Sequence, residues 1–337
     1  MIRIASFNVH NLSTKRSKEC LQKIVNIIRK YDIVVLQEVL NEGKMLNFIT
    51  GQNSTVQARA FGNFFMNYMG PDFDMEWVDC RSLSIAKTNP YISNDRRGEG
   101  YAFIWNKRKV ELIDEKKRPA AVRNYHVNHD QFRMKREPGY GRFKVRGHAA
   151  EIRVITTHII SEKPSETSLN YDVDFKTVEL RKKEFEVLAG KIYKKIDNDR
   201  VYEHHNAVYT VILGDYNLVV SDNEFKKTAL PCICYYDAQG RQTSDKDGCN
   251  FKIYNRQEEK TTLGKNRQTN AVAYVNSFDH CSYDEHTRSV VRDYGCYRLE
   301  DAISMASNGD EKSYEQMKIT YYDDVSDHLP IVVEINC

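Results

Sequence analysis

Nine residues with the chemistry to act on a substrate stand where apolar runs stop. Asn8 closes "IRIASFN", Glu38 closes "DIVVLQE", Glu99 opens "EGYAFIW" and His158 closes "EIRVITTH". Asp215 and Asn217 close "VILGDYN", Asp279 lies in "NSFDH", and Asp327 and His328 stand directly before "LPIVVEI". One acid at a strand end is ordinarily a cap or turn residue. A set drawn from separate strands is a different matter, because converging carboxylates repel one another unless a hard cation neutralises them. Oxygen donors with asparagine and without thiolate suit Mg²⁺ or Mn²⁺. Asp327 and His328 pose the question most sharply. Pressed against the alternation of Ile331, Val333 and Ile335, they are either a satisfied structural pair or working groups.

Such groups need rigid carriers, and the hydrophobic pattern supplies them. Ile2, Ile4, Ser6 and Val9 read as a strand, Cys20, Leu21, Ile24, Ile27 and Ile28 recur at helical spacing, and "DIVVLQEV" reads as a buried strand. A second cycle follows: strands at "GYAFIW", "VELID" and "EIRVITTHII", an amphipathic stretch from Tyr171 to Ile196, and a strand at "YTVILGDYN". The last third adds "YVNSFDH" and "PIVVEI", while residues 221–270 read as long surface loops carrying short elements. With no Pro/Ser/Gly-rich linker or repeat, residues 1–337 read as a single domain of two packed sheets with flanking helices.

Composition narrows the partners. A net charge of +3 in 337 residues argues against a tail that binds nucleic acid by bulk charge. No apolar run approaches the roughly 20 residues needed to span a bilayer. Eight scattered cysteines lack C-x-x-C spacing, which speaks against thiolate zinc. The start "MIRIASFNV" is already a strand, so a reduced, cytoplasmic setting is expected, with secretion open if a leader was removed ahead of it. No obligate protein partner is evident.

Taken in order, "IASFNVHNL", "YDIVVLQEV", "EGYAFIWNKRKVELID", "REPGYGRFKV", "ITTHI", "VILGDYN", "SFDH" and "SDHLPIVVE" span nearly the whole chain and resemble the endonuclease/exonuclease/phosphatase superfamily, most closely its deoxyribonuclease I-like branch. The resemblance implies an α/β (α+β) four-layer sandwich, two central and mainly antiparallel sheets flanked by helices. It also implies a metal-dependent phosphodiester hydrolase. Glu38 matches the family's metal ligand, with Asn8 and Asp327 close by, for Mg²⁺ or Mn²⁺, one ion or two. Asp215 and Asn217 match the pair that orients the attacking water and binds phosphate. His158 and His328 match the catalytic histidines, held by Glu99 and Asp279 respectively, with Asp284 as a competing register for the second.

The segment "RMKREPGYGRFKVRGH" sets Arg133, Lys135, Arg136, Arg142, Lys144 and Arg146 around Tyr140 and Phe143, a pattern suited to a phosphate backbone. Its "REP" resembles a deoxyribonuclease I segment that contacts DNA, so Arg136, with Asn8 and Asn217, is expected to bind substrate. Loops resembling those of inositol 5-phosphatases and abasic-site enzymes are not found, and the only tryptophans are Trp77 and Trp105. DNA is therefore the expected substrate, cleaved with low sequence specificity. The alternative is a phosphatase or phosphodiesterase on a phosphoinositide, sphingomyelin or another small phosphate ester. Insertions near 47–87 and 226–270 depart from the family pattern.

Overall fold

The computed structural model describes residues 1–13, 16–41, 65–80, 98–113, 120–121, 134, 136–159, 177–197, 207–220, 233–237, 239–243, 251–256, 260–296, 299–307 and 313–337. In chain order the strands are β1 (Ile2–Leu12), β2 (Ile33–Asn41), β3 (Phe73–Asp79), β4 (Gly98–Asn106), β5 (Val110–Leu112), β6 (Ala120–Ala121), β7 (Gly139–Val145) and β8 (Ala150–His158). They continue with β9 (Ala207–Asp215), β10 (Ile233–Tyr236), β11 (Phe251–Arg256), β12 (Leu263–Lys265), β13 (Val272–Tyr274), β14 (Asp279–Tyr283), β15 (Val291–Cys296) and β16 (Ile331–Ile335). The helices are α1 (Lys18–Ile28), α2 (Thr177–Val187), α3 (Glu285–Arg288), α4 (Leu299–Ala306) and α5 (Tyr314–Thr320).

One large sheet runs β15-β16-β1-β2-β4-β3, the other runs β10-β11-β14-β9-β8-β7-β5 with β6 on β7, and β12 and β13 form a separate two-stranded sheet. Pairing is parallel at β1/β2, β8/β9 and β10/β11 and antiparallel elsewhere, matching the expected mainly antiparallel sheets. The first two parallel pairs are strand–helix–strand units built through α1 and α2, since parallel neighbours need a crossover. Each sits at the middle of its sheet. Both therefore deliver the carboxyl ends of their strands to one mouth.

Between the sheets lies a core of Ile4, Val35, Phe103, Val154, Val211, Leu213, Ile331 and Val333. The alternate residues face outward: Phe7, Leu36 and Ile104 pack on Leu21, Ile24 and Ile28 of α1, while Ile155 and Ile212 pack on Phe185, Leu188 and Ile192. Strands covered on both faces read as near-continuous apolar runs. Helix, sheet, sheet and helix are the four layers.

Several elements differ from the sequence reading. The amphipathic stretch is described from Thr177 and widens into a π turn over Leu188–Tyr193. Within 221–270, β10 and β11 extend the second sheet and bury Tyr235 and Ile253 completely, too short to stand out from their polar surroundings. "YVNSFDH" is not one strand: β13 ends at Tyr274 and β14 begins at Asp279. Most of the expected insertion at 47–87 lies outside the described residues, which there include β3. Cys20, Cys80, Cys281 and Cys337 are not in disulfides, but Cys234 is disulfide-bonded, against the expectation of a fully reduced set. No helix among the described residues is long and apolar enough to cross a membrane.

Candidate active site

Period-2 alternation carries the site residues out of the inter-sheet core. Ile4, Ser6 and Asn8 follow one another along one face of β1, Val154, Thr156 and His158 along β8, and Val211, Leu213 and Asp215 along β9. β4 and β14 run the other way, so Glu99 and Asp279 head their strands and still reach the same mouth. A polar layer separates core from site: Gln37 Nε2 donates to Ser6 Oγ and to Thr156 Oγ1 of the opposite sheet, both at 2.8 Å. Asp215 stands opposite His158 on one side and Asp279 on the other. Gly214 (φ +153°) makes this register achievable, because a β-carbon there would collide with the Thr157 carbonyl.

Glu38 is out of phase with Val35 and Gln37 and would face the helices if β2 were regular. A bulge between Leu36 and Val39, with Glu38 at φ +58°, turns it into the mouth. His10 (φ +46°) and Asn11 (φ +58°) are also left-handed. Their backbone N–H groups are thereby aimed inward, His10 N donating to Asn8 Oδ1 (3.0 Å) and Asn11 N to Glu38 Oε2 (2.9 Å). Strain of this kind persists only where neighbours over-determine it.

Two acid–imidazole arms face each other across the mouth. His158 Nδ1 lies 2.6 Å from Glu99 Oε1, whose other oxygen takes Arg136 Nη2 at 2.6 Å. His328 Nδ1 lies 2.8 Å from Asp279 Oδ2, and Thr261 Oγ1 donates to that same oxygen at 2.8 Å. Both Nε2 atoms converge on Asp215 Oδ2, at 3.6 Å from His158 and 3.7 Å from His328. Asn8 Nδ2 bridges Asp215 Oδ2 (3.2 Å) and Glu38 Oε1 (3.1 Å). Asn217 donates its backbone N–H to Asp215 Oδ1 (2.8 Å) and its side-chain amide to Ile159 O (2.7 Å).

The structure thus brings together Asn8, Glu38, Glu99, His158, Asp215, Asn217, Asp279 and His328. It bonds His328 to Asp279, while Asp284 caps α3 through Thr287 N. Asp327 sits at the rim, paired with His10 at 3.0 Å. Arg136 is engaged by Glu99, and Arg142 by Glu151 at 2.7 and 3.0 Å. Phe143 points into the inter-sheet core, so the expected basic-aromatic strip is divided between two faces of β7. Arg133 and Lys135 lie outside the described residues. Sequence reasoning missed His10, for which the polar "HN" after Asn8 was a signal, and Thr261, for which a lone buried threonine gives none.

Burial disfavours charge on both histidines, yet acids override it. His158 is raised by Glu99 and Asp215, and His328 is carried up to about 10 by Asp279, Asp215 and Asp327. Burial would raise Glu99 too, but His158 and Arg136 hold it at about 2. Asp215 is raised, burial being the main cause. A histidine raised from 6.5 to about 10 contributes stability that is complete below 6.5 and is lost as pH climbs through 10. Melting curves of metal-free protein should therefore shift downward across that window, and His328→Gln should flatten the trend. An equal slope in the variant would dissociate the trend from His328.

Glu38 and Asp215 have, among the described residues, only neutral donors at hydrogen-bonding distance: Asn8 and the N–H groups of Asn11 and Asn217. No three His, Cys, Asp or Glu among those residues form a closed metal-ligand set. Glu38 and Asp215 are hard oxygen donors of the type a divalent cation accepts one or two of, with water and substrate oxygens in its other positions.

Two mixed sheets covered by helices form an α/β sandwich that carries, at its mouth, histidines held by acids over a buried aspartate. The profile of the Endonuclease/Exonuclease/phosphatase family matches residues 5–231, and the chain belongs to that family. Its members are hydrolytic enzymes, many of them metal-dependent. A functionally unknown conserved protein from Enterococcus faecalis V583 shares the fold at a TM-score of 0.51 and 15% identity, over 99% of each chain. So does an endonuclease/exonuclease/phosphatase family protein from Bacteroides thetaiotaomicron (TM-score 0.50, 13% identity, 98% of this chain and 93% of that one). The human nocturnin catalytic domain, solved with a sulfate anion, is similar at a TM-score of 0.50 and 12% identity, over 99% of this chain and 93% of its own. No curated protein matches in sequence.

Proposed function

We propose that this protein is a Mg²⁺- or Mn²⁺-dependent phosphodiesterase, a DNA endonuclease of low sequence specificity. The supporting observation is the convergence of His158 Nε2 and His328 Nε2 on Asp215 Oδ2. Hydrolysis of a phosphodiester needs an activated water, donors for the phosphoryl oxygens and a stabilised leaving alkoxide. Asp215, made more basic by burial and oriented through the Asn217 N–H, accepts the proton of the attacking water. His328 and His158 donate to the phosphoryl oxygens, and their acid partners fix which ring nitrogen faces the substrate. A divalent cation held by Glu38, with Asn8 and Asp327 nearby, would neutralise phosphate charge. Asn8 and Asn217 border the phosphate position, and the guanidinium of Arg136 stiffens the Glu99–His158 arm at its edge. These groups meet a phosphate and no base, hence the low sequence specificity.

A second reading, a phosphatase or phosphodiesterase on a small phosphate ester, draws support from the internal pairing of Arg136 and Arg142, which leaves less cation for a long backbone. Supercoiled plasmid, a phosphoinositide and a sphingomyelin analogue, each incubated with Mg²⁺, separate the two. Nicking followed by linearisation is expected. Turnover of a small ester with intact plasmid would transfer the site to the second reading.

A further inference from the structure

Behind Glu38, on the helix-facing side of the first sheet, Trp77 reaches from β3 across β4 to β2. Its indole Nε1 donates to Val39 O at 3.1 Å. Val39 directly follows Glu38 and is the first residue paired with β4 after the bulge, opposite Gly100. The indole can cross because Gly100 carries no side chain: a β-carbon there would lie 2.5 Å from indole Cε2 and Cζ2. Gly100 in turn follows Glu99, the partner of His158. A single indole on the back of the sheet thus covers the backbone that aims both carboxylates.

We propose that Trp77 is a positioning residue that latches the Glu38 bulge and so sets the site's affinity for a divalent cation, an inference that rests on the reading of Glu38 as the metal-holding carboxylate. A left-handed glutamate in a bulge is intrinsically strained, and β2 relaxes toward regular pairing unless something holds the turn. In a regular strand the period of two returns Glu38 to the helix face. The Trp77 N–H holds the carbonyl one residue beyond the turn, and the ring fills the gap over Gly100 that a relaxing strand would enter. Outer partners of ligating groups commonly change metal affinity by about 10- to 100-fold.

The test measures Mn²⁺ binding by the electron paramagnetic resonance signal of the free ion, in wild type, Trp77→Phe and Glu38→Gln, with melting curves to show that each is folded. Trp77→Phe keeps a ring over Gly100 and removes the N–H. It should bind Mn²⁺ roughly tenfold more weakly, and its activity against Mn²⁺ concentration should shift to the right and reach the wild-type plateau. Glu38→Gln should lose the binding. If Glu38→Gln loses it and folded Trp77→Phe does not, the latch is overturned and the Glu38 reading stands. If Glu38→Gln binds as wild type, the Glu38 reading falls and the latch falls with it. A measurement free of folding defects at Trp77 uses Trp105→Phe, which leaves Trp77 as the sole tryptophan. Its emission should shift on Mg²⁺ addition, and an emission indifferent to Mg²⁺ overturns the latch as well.

Discussion

His158→Ala and His328→Ala should each lower turnover by roughly 10²-fold or more while keeping a cooperative thermal transition. The size follows from what each ring does. A positioned proton donor acting in the transition state contributes about 10²–10⁴-fold, and each Nε2 lies 3.6–3.7 Å from the Asp215 oxygen at which the arms meet. The fold survives because neither ring belongs to the apolar core between the sheets, which Ile4, Val35, Val154, Leu213 and Val333 fill without them. The two variants should also fail to add: once one arm is gone, the transition state that the other serves is no longer reached by the same route, so the double variant falls little below either single one. Activity lost only together with the thermal transition would assign the imidazoles a structural role.

The period-2 alternation of the strands was legible, and it placed Asn8, His158 and Asp215 at one mouth because each ends an inward-facing row that starts apolar, Ile4 and Ser6 leading to Asn8, Val154 and Thr156 to His158, and Val211 and Leu213 to Asp215. Glu38 shows where that reasoning stops. Its parity points the wrong way, and only the left-handed turn beside Val39 corrects it, a property of the backbone that no side-chain pattern displays. Charge was legible as composition but not as partnership. Arg136 and Arg142 resemble a phosphate-binding strip, yet their neighbours in space, Glu99 and Glu151, lie far from Arg136 or on another strand from Arg142. Asp279 and Asp284 compete on equal terms in sequence. They separate once β14 carries the first to His328 and the start of α3 uses the second as a cap. The short elements expected within residues 221–270 could not be typed or placed for a different reason, since β10 and β11, four and six residues between polar segments, carry too little pattern.

EDTA should abolish hydrolysis, and Mg²⁺ or Mn²⁺ should restore it. Glu38 and Asp215 lie against the same Asn8 amide at 3.1 and 3.2 Å, and Asn8 is neutral. A phosphodiester entering this corner adds a further negative charge, which the two raised imidazoles, already shared with Glu38, Glu99, Asp215 and Asp279, offset only in part, so a cation is needed for the rest. Restoration should follow hardness: Mg²⁺ and Mn²⁺ fit an oxygen donor set, and soft thiophilic ions have no thiolate to meet there. The same ions should raise the melting temperature of wild type in a concentration-dependent way, because a ligand that binds only the folded state stabilises it by mass action. Glu38→Gln should lose that rise along with activity, whereas His328→Ala should keep most of the rise and lose the activity. Full activity in EDTA, or a metal-induced rise undiminished in Glu38→Gln, would take the cation off Glu38 and leave the two acid–imidazole arms to act without it.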